Sequence, residues 1–138
     1  MVLHRNAKID VLRRVPLFAA CSRRQLEAIS SIADELDVRE GKVMIREGER
    51  GREFFVLLAG EADVTQGGNP LRTLGPGDFF GEIALVSRTP RTATVVARSP
   101  LRALVITDRA FRSLLERMPD LQLKVLQALA ERLNATTL

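Results

Sequence analysis

The chain has 138 residues, 46% of them hydrophobic and 28% charged, and this globular composition includes no apolar run long enough for a membrane span or a secretory signal. Its single histidine and single cysteine allow no internal disulfide and give no persuasive zinc or iron site, and they argue against Cys-His and Ser-His catalysis. The net charge is +4, but the basic residues are scattered and Trp and Tyr are absent, which argues against a stacking surface for nucleic acid.

Two helices are predicted in the first part of the chain. Apolar spacing indicates a helix over residues 6–16, and a short apolar segment, VPLF, follows at residues 15–18. Ser22 and Gln25 have the spacing of a capping box, which predicts that a second helix begins there and runs over residues 23–34.

From Leu36 onward, glycines recur at short intervals between brief apolar runs. Short strands with regular turns favour a sandwich, a barrel or a roll. The Gly67-Gly68-Asn69-Pro70 stretch is a strong turn signal between two of these runs. The predicted strands are VMI at 43–45, FFVLLA at 54–59, ADV at 62–64, LRTL at 71–74, TATVVA at 92–97 and LRALVI at 101–106.

The segment over residues 75–97 carries the candidate chemistry. Residues 82–86 are helix-capable and follow a glycine-rich turn, and the first amides of a helix attract an anion. Gly81 lets a ligand approach the backbone, and Arg91 is suited to a bidentate clamp on a phosphate. Glu82 is suited to accept hydrogen bonds from a ribose hydroxyl. The pattern therefore predicts a pocket for a small anionic sugar phosphate; an internal Glu82–Arg91 salt bridge in a pocket that binds nothing stays open as the alternative.

Two further helices are predicted at the end of the chain, over residues 108–117 and 120–134, with Pro119 in the first turn of the second. The last helix is apolar on more than one side, which indicates either a second contact surface or core packing alone. One stripe is Leu121, Val125, Leu129 and Leu133, and its neighbour is Leu123, Leu126 and Ala130.

The motif FGEIALVSRTPRTATV resembles the phosphate-binding cassette of cyclic-nucleotide-binding domains, the family of protein kinase A regulatory subunits, cyclic-nucleotide-gated channels and the catabolite activator protein. The matching positions, which the resemblance makes the ligand-binding residues, are Phe80, Gly81, Glu82, Ile83, Ala84, Arg91, Thr92 and Ala93. The resemblance implies that Glu82 holds the ribose 2′-hydroxyl. It also implies that Arg91 and the amides around Ile83 and Ala84 hold the cyclic phosphate.

The resemblance extends from the VPLF segment to the final helix and implies a mainly β fold. The expected architecture is an antiparallel β-roll, also called a double-stranded β-helix or jelly roll, with N-terminal helices and two C-terminal helices. We expect one domain over residues 1–138. Within it, residues 1–35 form the N-terminal helices, residues 36–107 the roll with its cassette at 80–93, and residues 108–138 the C-terminal helices.

The implied function is a cytoplasmic sensor without catalytic residues, metal or cofactor, which binds cyclic AMP or cyclic GMP and signals to an effector domain or partner through its C-terminal helices. In the family the last helix closes over the base or pairs with another subunit, so Arg132 or Leu133 is a candidate lid and a dimer through this helix is possible. Thr92 occurs in binders of either nucleotide, and cyclic AMP is the favoured expectation. No membrane insertion or direct nucleic-acid contact is expected in this segment.

Several alternatives remain at this point. A transcription regulator of the catabolite-activator type would need a DNA-reading helix pair after Asn134. The segment could also be the regulatory part of a larger enzyme, transporter or channel, or an interaction module whose roll no longer binds nucleotide. A cupin-type metal enzyme shares the roll, but one histidine does not supply its metal ligands.

Overall fold

The structure is a computed structural model that describes residues 5–82 and 89–137, and in it the chain divides into two compact units. One is a helical unit, Met1–Ile32 with Ala110–Leu138, and the other is a β unit, Ala33–Arg109. None of the helices in the described ranges is long and apolar enough to cross a membrane.

Local signals in the sequence set the positions of the helices. Their bounds are Arg5–Arg13 (α1), Pro16–Phe18 (a 3-10 helix), Arg23–Ser31 (α2), Asp108–Arg117 (α3) and Pro119–Thr137 (α4). The predicted capping box is present, since the Gln25 amide donates to Ser22 Oγ over 3.2 Å and the Ser22 amide donates to Gln25 Oε1 over 2.8 Å.

The helical unit has its own core. Ile9 and Leu12 of α1 are fully buried, and so are Phe18 of the VPLF segment and Phe111 of α3, whose rings lie 6.0 Å apart. The α4 helix buries Leu121 and leaves other apolar side chains exposed, among them Leu123 and Leu126. One partly buried polar contact joins α4 to the start of α2, because Lys124 Nζ donates to Gln25 Oε1 over 2.7 Å.

The predicted end of α2 is wrong by three residues. The helix stops at Ser31, and Ile32 leaves the helical region with φ −107° and ψ 4° while its amide still bonds to the carbonyls of Ile29 and Ser30. A strand begins at Asp34 and pairs along its whole length with the last strand of the roll. The pairing of residues 34–38 with a distant strand therefore ends the helix, although Ile32 and Ala33 continue its apolar spacing.

The β unit consists of two four-stranded antiparallel sheets, as expected for the β-roll. The strands are Asp34–Val38 (β1), Val43–Ile45 (β2), Glu53–Ala59 (β3), Ala62–Gln66 (β4), Asn69–Leu74 (β5), Phe79–Phe80 (β6), Thr94–Ala97 (β7) and Leu101–Thr107 (β8). One sheet has the order β1-β8-β3-β6 and the other the order β2-β7-β4-β5. The predicted turn joins β4 to β5, with Gly67 at φ 58° and Gly68 at φ 83°.

The core of the β unit lies between its two sheets and supports the segment around Arg91. Phe55 and Phe80 stack with ring centroids 4.9 Å apart, and the buried valines of the second sheet, Val64 and Val95, belong to the same cluster. The chain leaves β6 at Phe80 and returns at β7, so the cassette is a connection whose two ends are fixed by the core.

Candidate functional site

A cavity of about 260 Å³ in the β unit, called the site cavity below, brings together most of the predicted site residues. Phe80, Gly81, Glu82, Arg91, Thr92 and Ala93 all line it. Ile83 and Ala84, with the rest of the predicted helix after Glu82, lie outside the described residues. A carboxylate and a guanidinium therefore border one space, although they are nine positions apart in the chain.

The main chain of Arg91 is bound to the loop after β2. Its amide donates to the carbonyl of Glu49 over 2.9 Å, and its own carbonyl accepts from the amide of Gly48 over 2.8 Å. This pair of hydrogen bonds fixes the point from which the side chain extends.

The guanidinium of Arg91 contacts two segments that are distant in sequence. Nη1 donates to the carbonyl oxygen of Gly81 over 3.3 Å, and Nη2 donates to that of Glu53 over 2.7 Å. The side chain is half-buried, and burial lowers the pKa of Arg91, while the nearby carboxylates of Glu53 and Glu82 act in the opposite direction. A guanidinium has five N–H donors, so two carbonyl partners leave donors for an anion in the cavity.

Gly81 is required by its conformation and by its surroundings. Its φ is 82°, a region that L side chains rarely adopt. A Cβ on this residue would lie 2.7 Å from the Glu53 carbonyl oxygen and 2.9 Å from Nη1 of Arg91. The sequence suggested this glycine for the approach of a ligand, and the structure adds that it makes room for the arginine.

Four side chains that the sequence analysis did not single out as site residues form a row across the second sheet. Ile45 pairs with Val95, Val95 with Val64, and Val64 with Arg72, so the row crosses β2, β7, β4 and β5. All four line the site cavity. Directly paired residues project from the same face of a sheet, so this floor row gives the cavity an apolar base that ends in a guanidinium.

The site cavity suits a ligand with a hydroxyl at one end, a negative charge at the other and a flat apolar part. Arg91 can pair with the charge and Glu82 can accept from a hydroxyl, because a carboxylate is an acceptor and a guanidinium a donor. Within the described ranges, no group of three or more His, Cys, Asp or Glu residues is arranged to hold a metal ion.

Comparison with known proteins identifies a matching family and similar sequences. Residues 35–118 match the family described as "Cyclic nucleotide-binding domain". A cAMP-dependent protein kinase regulatory subunit of Mycosarcoma maydis is 41% identical over 116 residues, which cover 75% of this chain and 22% of that protein. A cGMP-dependent protein kinase of Toxoplasma gondii is 36% identical over 105 residues, covering 76% of this chain and 11% of that protein.

A solved structure has a similar fold. The N-terminal domain of a transcriptional regulator from Streptomyces coelicolor A3(2) superposes with a TM-score of 0.85 and 30% identity, covering 93% of this chain and 95% of that one. The chain thus spans nearly all of that domain but less than a quarter of either kinase relative.

Proposed function

This chain belongs to the family of cyclic nucleotide-binding domains, and on that premise we propose that Arg91 and Glu82 hold one cyclic nucleotide in the site cavity. Arg91 pairs with the cyclic phosphate, and Glu82 accepts a hydrogen bond from the ribose 2′-hydroxyl. The amides around Ile83 and Ala84 complete the phosphate site, as the resemblance implies. The observation that carries the proposal is the half-buried guanidinium of Arg91 in the wall of a cavity that Glu82 also lines.

Thermal unfolding with and without ligand tests the proposal. A ligand that binds only the folded state raises apparent stability, by about 2.7 kcal/mol when its concentration is one hundred times Kd. We expect cyclic AMP or cyclic GMP to raise the melting temperature, and 5′-AMP and 5′-GMP to raise it less. A melting temperature that neither cyclic nucleotide changes would instead support an interaction module whose cavity binds no nucleotide.

Cyclic AMP is the expected ligand from the sequence, and one observation favours cyclic GMP as the second candidate. Arg72 ends the floor row on the edge strand β5, where its exposed guanidinium lines the cavity together with Thr92. Arginine pairs bidentately with O6 and N7 of guanine, whereas adenine presents an amino donor in place of O6. The relatives include a regulatory subunit of a cAMP-dependent protein kinase and a cGMP-dependent protein kinase.

Paired calorimetry with the two nucleotides decides between these ligands. If Arg72 reads the base, the wild type prefers cyclic GMP, and Arg72→Ala loses affinity for cyclic GMP while keeping its affinity for cyclic AMP. If cyclic AMP binds more tightly and Arg72→Ala changes neither affinity, the sequence expectation stands and Arg72 is a surface residue. Arg98→Ala is the matched control, because Arg98 is an exposed arginine directly after β7 and lies outside the cavity lining.

The consequence of binding that we propose is a shift between two arrangements of the domain, transmitted through its C-terminal helices to an effector domain or partner. A ligand shifts such a balance only by its difference in affinity for the two states. The exposed side chains of Leu123 (59%) and Leu126 (61%) on α4 form an apolar surface on which an effector or a second copy could act. Light scattering with and without nucleotide, on the wild type and Leu126→Glu, tests whether that surface forms a dimer.

A further inference from the structure

Gly51, in the loop between β2 and β3, lies directly against the guanidinium of Arg91. A Cβ added to Gly51 would overlap with Nε, Cζ and Nη2 of that side chain. Gly51 does not line the site cavity, whereas Arg91 does. Both residues line a second, polar cavity of about 560 Å³, so Gly51 meets the guanidinium outside the site cavity.

The backbone of Gly51 does not itself require glycine. Seven glycines of the chain have positive φ, and Gly51 is not one of them. An alanine at this position therefore meets no positive-φ strain, and the three atoms nearest to its Cβ all belong to the far end of a long, flexible side chain. A side chain at residue 51 would leave the fold intact and displace the guanidinium.

Two hydrogen bonds also define the position of the Arg91 guanidinium beside Gly51. The carbonyl oxygens of Gly81 and Glu53 accept from Nη1 and Nη2, and the absent side chain of Gly51 leaves room for the guanidinium while it makes both bonds. Displacing Nε and Cζ breaks at least one of these bonds, because the planar guanidinium moves as one unit.

We propose that Gly51 is a positioning residue for the phosphate clamp: it holds no ligand, and it sets where the Arg91 guanidinium stands. This inference rests on the proposed function, because it assigns to Gly51 the placement of the group that pairs with the cyclic phosphate. A clamp displaced by an ångström loses the geometry that made it selective.

The first test is binding by Gly51→Ala. We expect a melting temperature without ligand close to that of the wild type, and a Kd for the cyclic nucleotide raised on the order of tenfold, which corresponds to about 1.4 kcal/mol. Gly75→Ala is the control, because Gly75 also lacks a positive φ and its Cβ would meet nothing within 4 Å. A Gly51→Ala variant that binds like the wild type would overturn the inference.

A double-mutant cycle separates positioning from a general structural effect. In an Arg91→Leu background the guanidinium is gone, so adding Gly51→Ala should produce no further loss of affinity. An equal loss in both backgrounds would show that Gly51 acts on the fold and not on Arg91.

A readout without nucleotide keeps this inference distinct from the proposed function. In ¹⁵N-labelled protein the Arg91 Nε–H resonance is identified by its absence in Arg91→Leu, and Gly51→Ala should shift it whereas Gly75→Ala should not. If the wild type binds neither cyclic nucleotide but this resonance shifts, the proposed function fails and the positioning role stands. An unmoved resonance refutes the positioning role whatever the protein binds.

Discussion

Replacing Arg91 by leucine is the most direct test of the proposed site. The change removes a half-buried guanidinium from the cavity wall and would leave a bound cyclic phosphate without its charged partner. Removing one member of a hydrogen-bonded charge pair costs about 2–5 kcal/mol of binding free energy. Since the guanidinium of Arg91 is only half-buried, water screens part of the interaction and we expect the lower half of that range. This corresponds to a rise in Kd of about 30-fold to several hundred-fold.

The same substitution has a cost in the unliganded protein that must be measured separately. Arg91→Leu leaves the carbonyl oxygens of Gly81 and Glu53 without their guanidinium donors. A typical hydrogen bond contributes about 0.5–1.5 kcal/mol, and this range applies because one of the two bonds is partly buried and the other is exposed, so that water reduces the advantage of a charged donor. The free energy of unfolding should therefore fall by about 1–3 kcal/mol. Urea denaturation followed by circular dichroism gives this number and shows under which conditions the variant is still folded.

Binding is then measured by isothermal titration calorimetry with cyclic AMP and cyclic GMP under those conditions. Arg98→Leu is the control, because Arg98 pairs with Asp63 at the surface over 3.7 Å and does not line the site cavity. We expect Arg98→Leu to bind as the wild type does. If Arg91→Leu retains wild-type affinity in the folded state, Arg91 is not the phosphate clamp and the proposed site is wrong.

Three further predictions concern the site, the fold and the cysteine. Glu82→Ala should erase the preference for ribose over 2′-deoxy analogues, because the proposed acceptor is lost; competition calorimetry measures this, and a preference as strong as that of the wild type would contradict the ribose assignment. Gly60→Ala should lower the free energy of unfolding by about 1–3 kcal/mol through backbone strain, because Gly60 has φ 85°. The added Cβ would also lie 2.5 Å from a carbonyl oxygen. Chemical denaturation measures the loss, and a loss no larger than that of Gly75→Ala would disprove this prediction. Burial raises the pKa of the Cys21 thiol, and the charge of Lys124 acts in the opposite direction. Because less of the thiol is then ionised at pH 8, iodoacetamide should alkylate the folded protein far more slowly than the urea-unfolded chain. Equal rates would refute this.

The cassette could be identified from sequence because its chemistry lies in one continuous segment. Gly81, Glu82 and Arg91 are close in the chain, and their residue types indicate the role that we propose for each group. The floor row could not be identified in that way, since Ile45 and Arg72 come together only through the register of four strands. In the sequence Gly51 is one of the glycines that recur between the apolar runs, and its contact with Arg91 depends on how the loop before β3 folds back.

The distance in sequence between paired segments also explains why β1 and β6 could not be predicted from local pattern. The strand β1, with the sequence DELDV, has little of the apolar alternation that marks a strand. It is held at the edge of its sheet by pairing with β8, where Arg102 Nε donates to Asp37 Oδ1 over 2.9 Å. The two-residue strand β6 is too short to produce any periodic signal. Both elements are defined by a partner strand that is distant in sequence.

The two carbonyl partners of Arg91 determine how the binding of an anion in the cavity would affect the neighbouring segments. One belongs to Glu53 at the start of β3 and the other to Gly81 just after β6, so a single cation tethers two strands of one sheet to the cassette. Because the main chain of Arg91 is itself anchored to the loop at 48–49, the guanidinium is held in place, and its remaining N–H donors can bind an anion in the cavity while both carbonyl bonds are kept. An anion bound there would add a further partner to the cation that already joins the start of β3, the end of β6 and the cassette, so one side chain would couple occupancy of the site to all three segments.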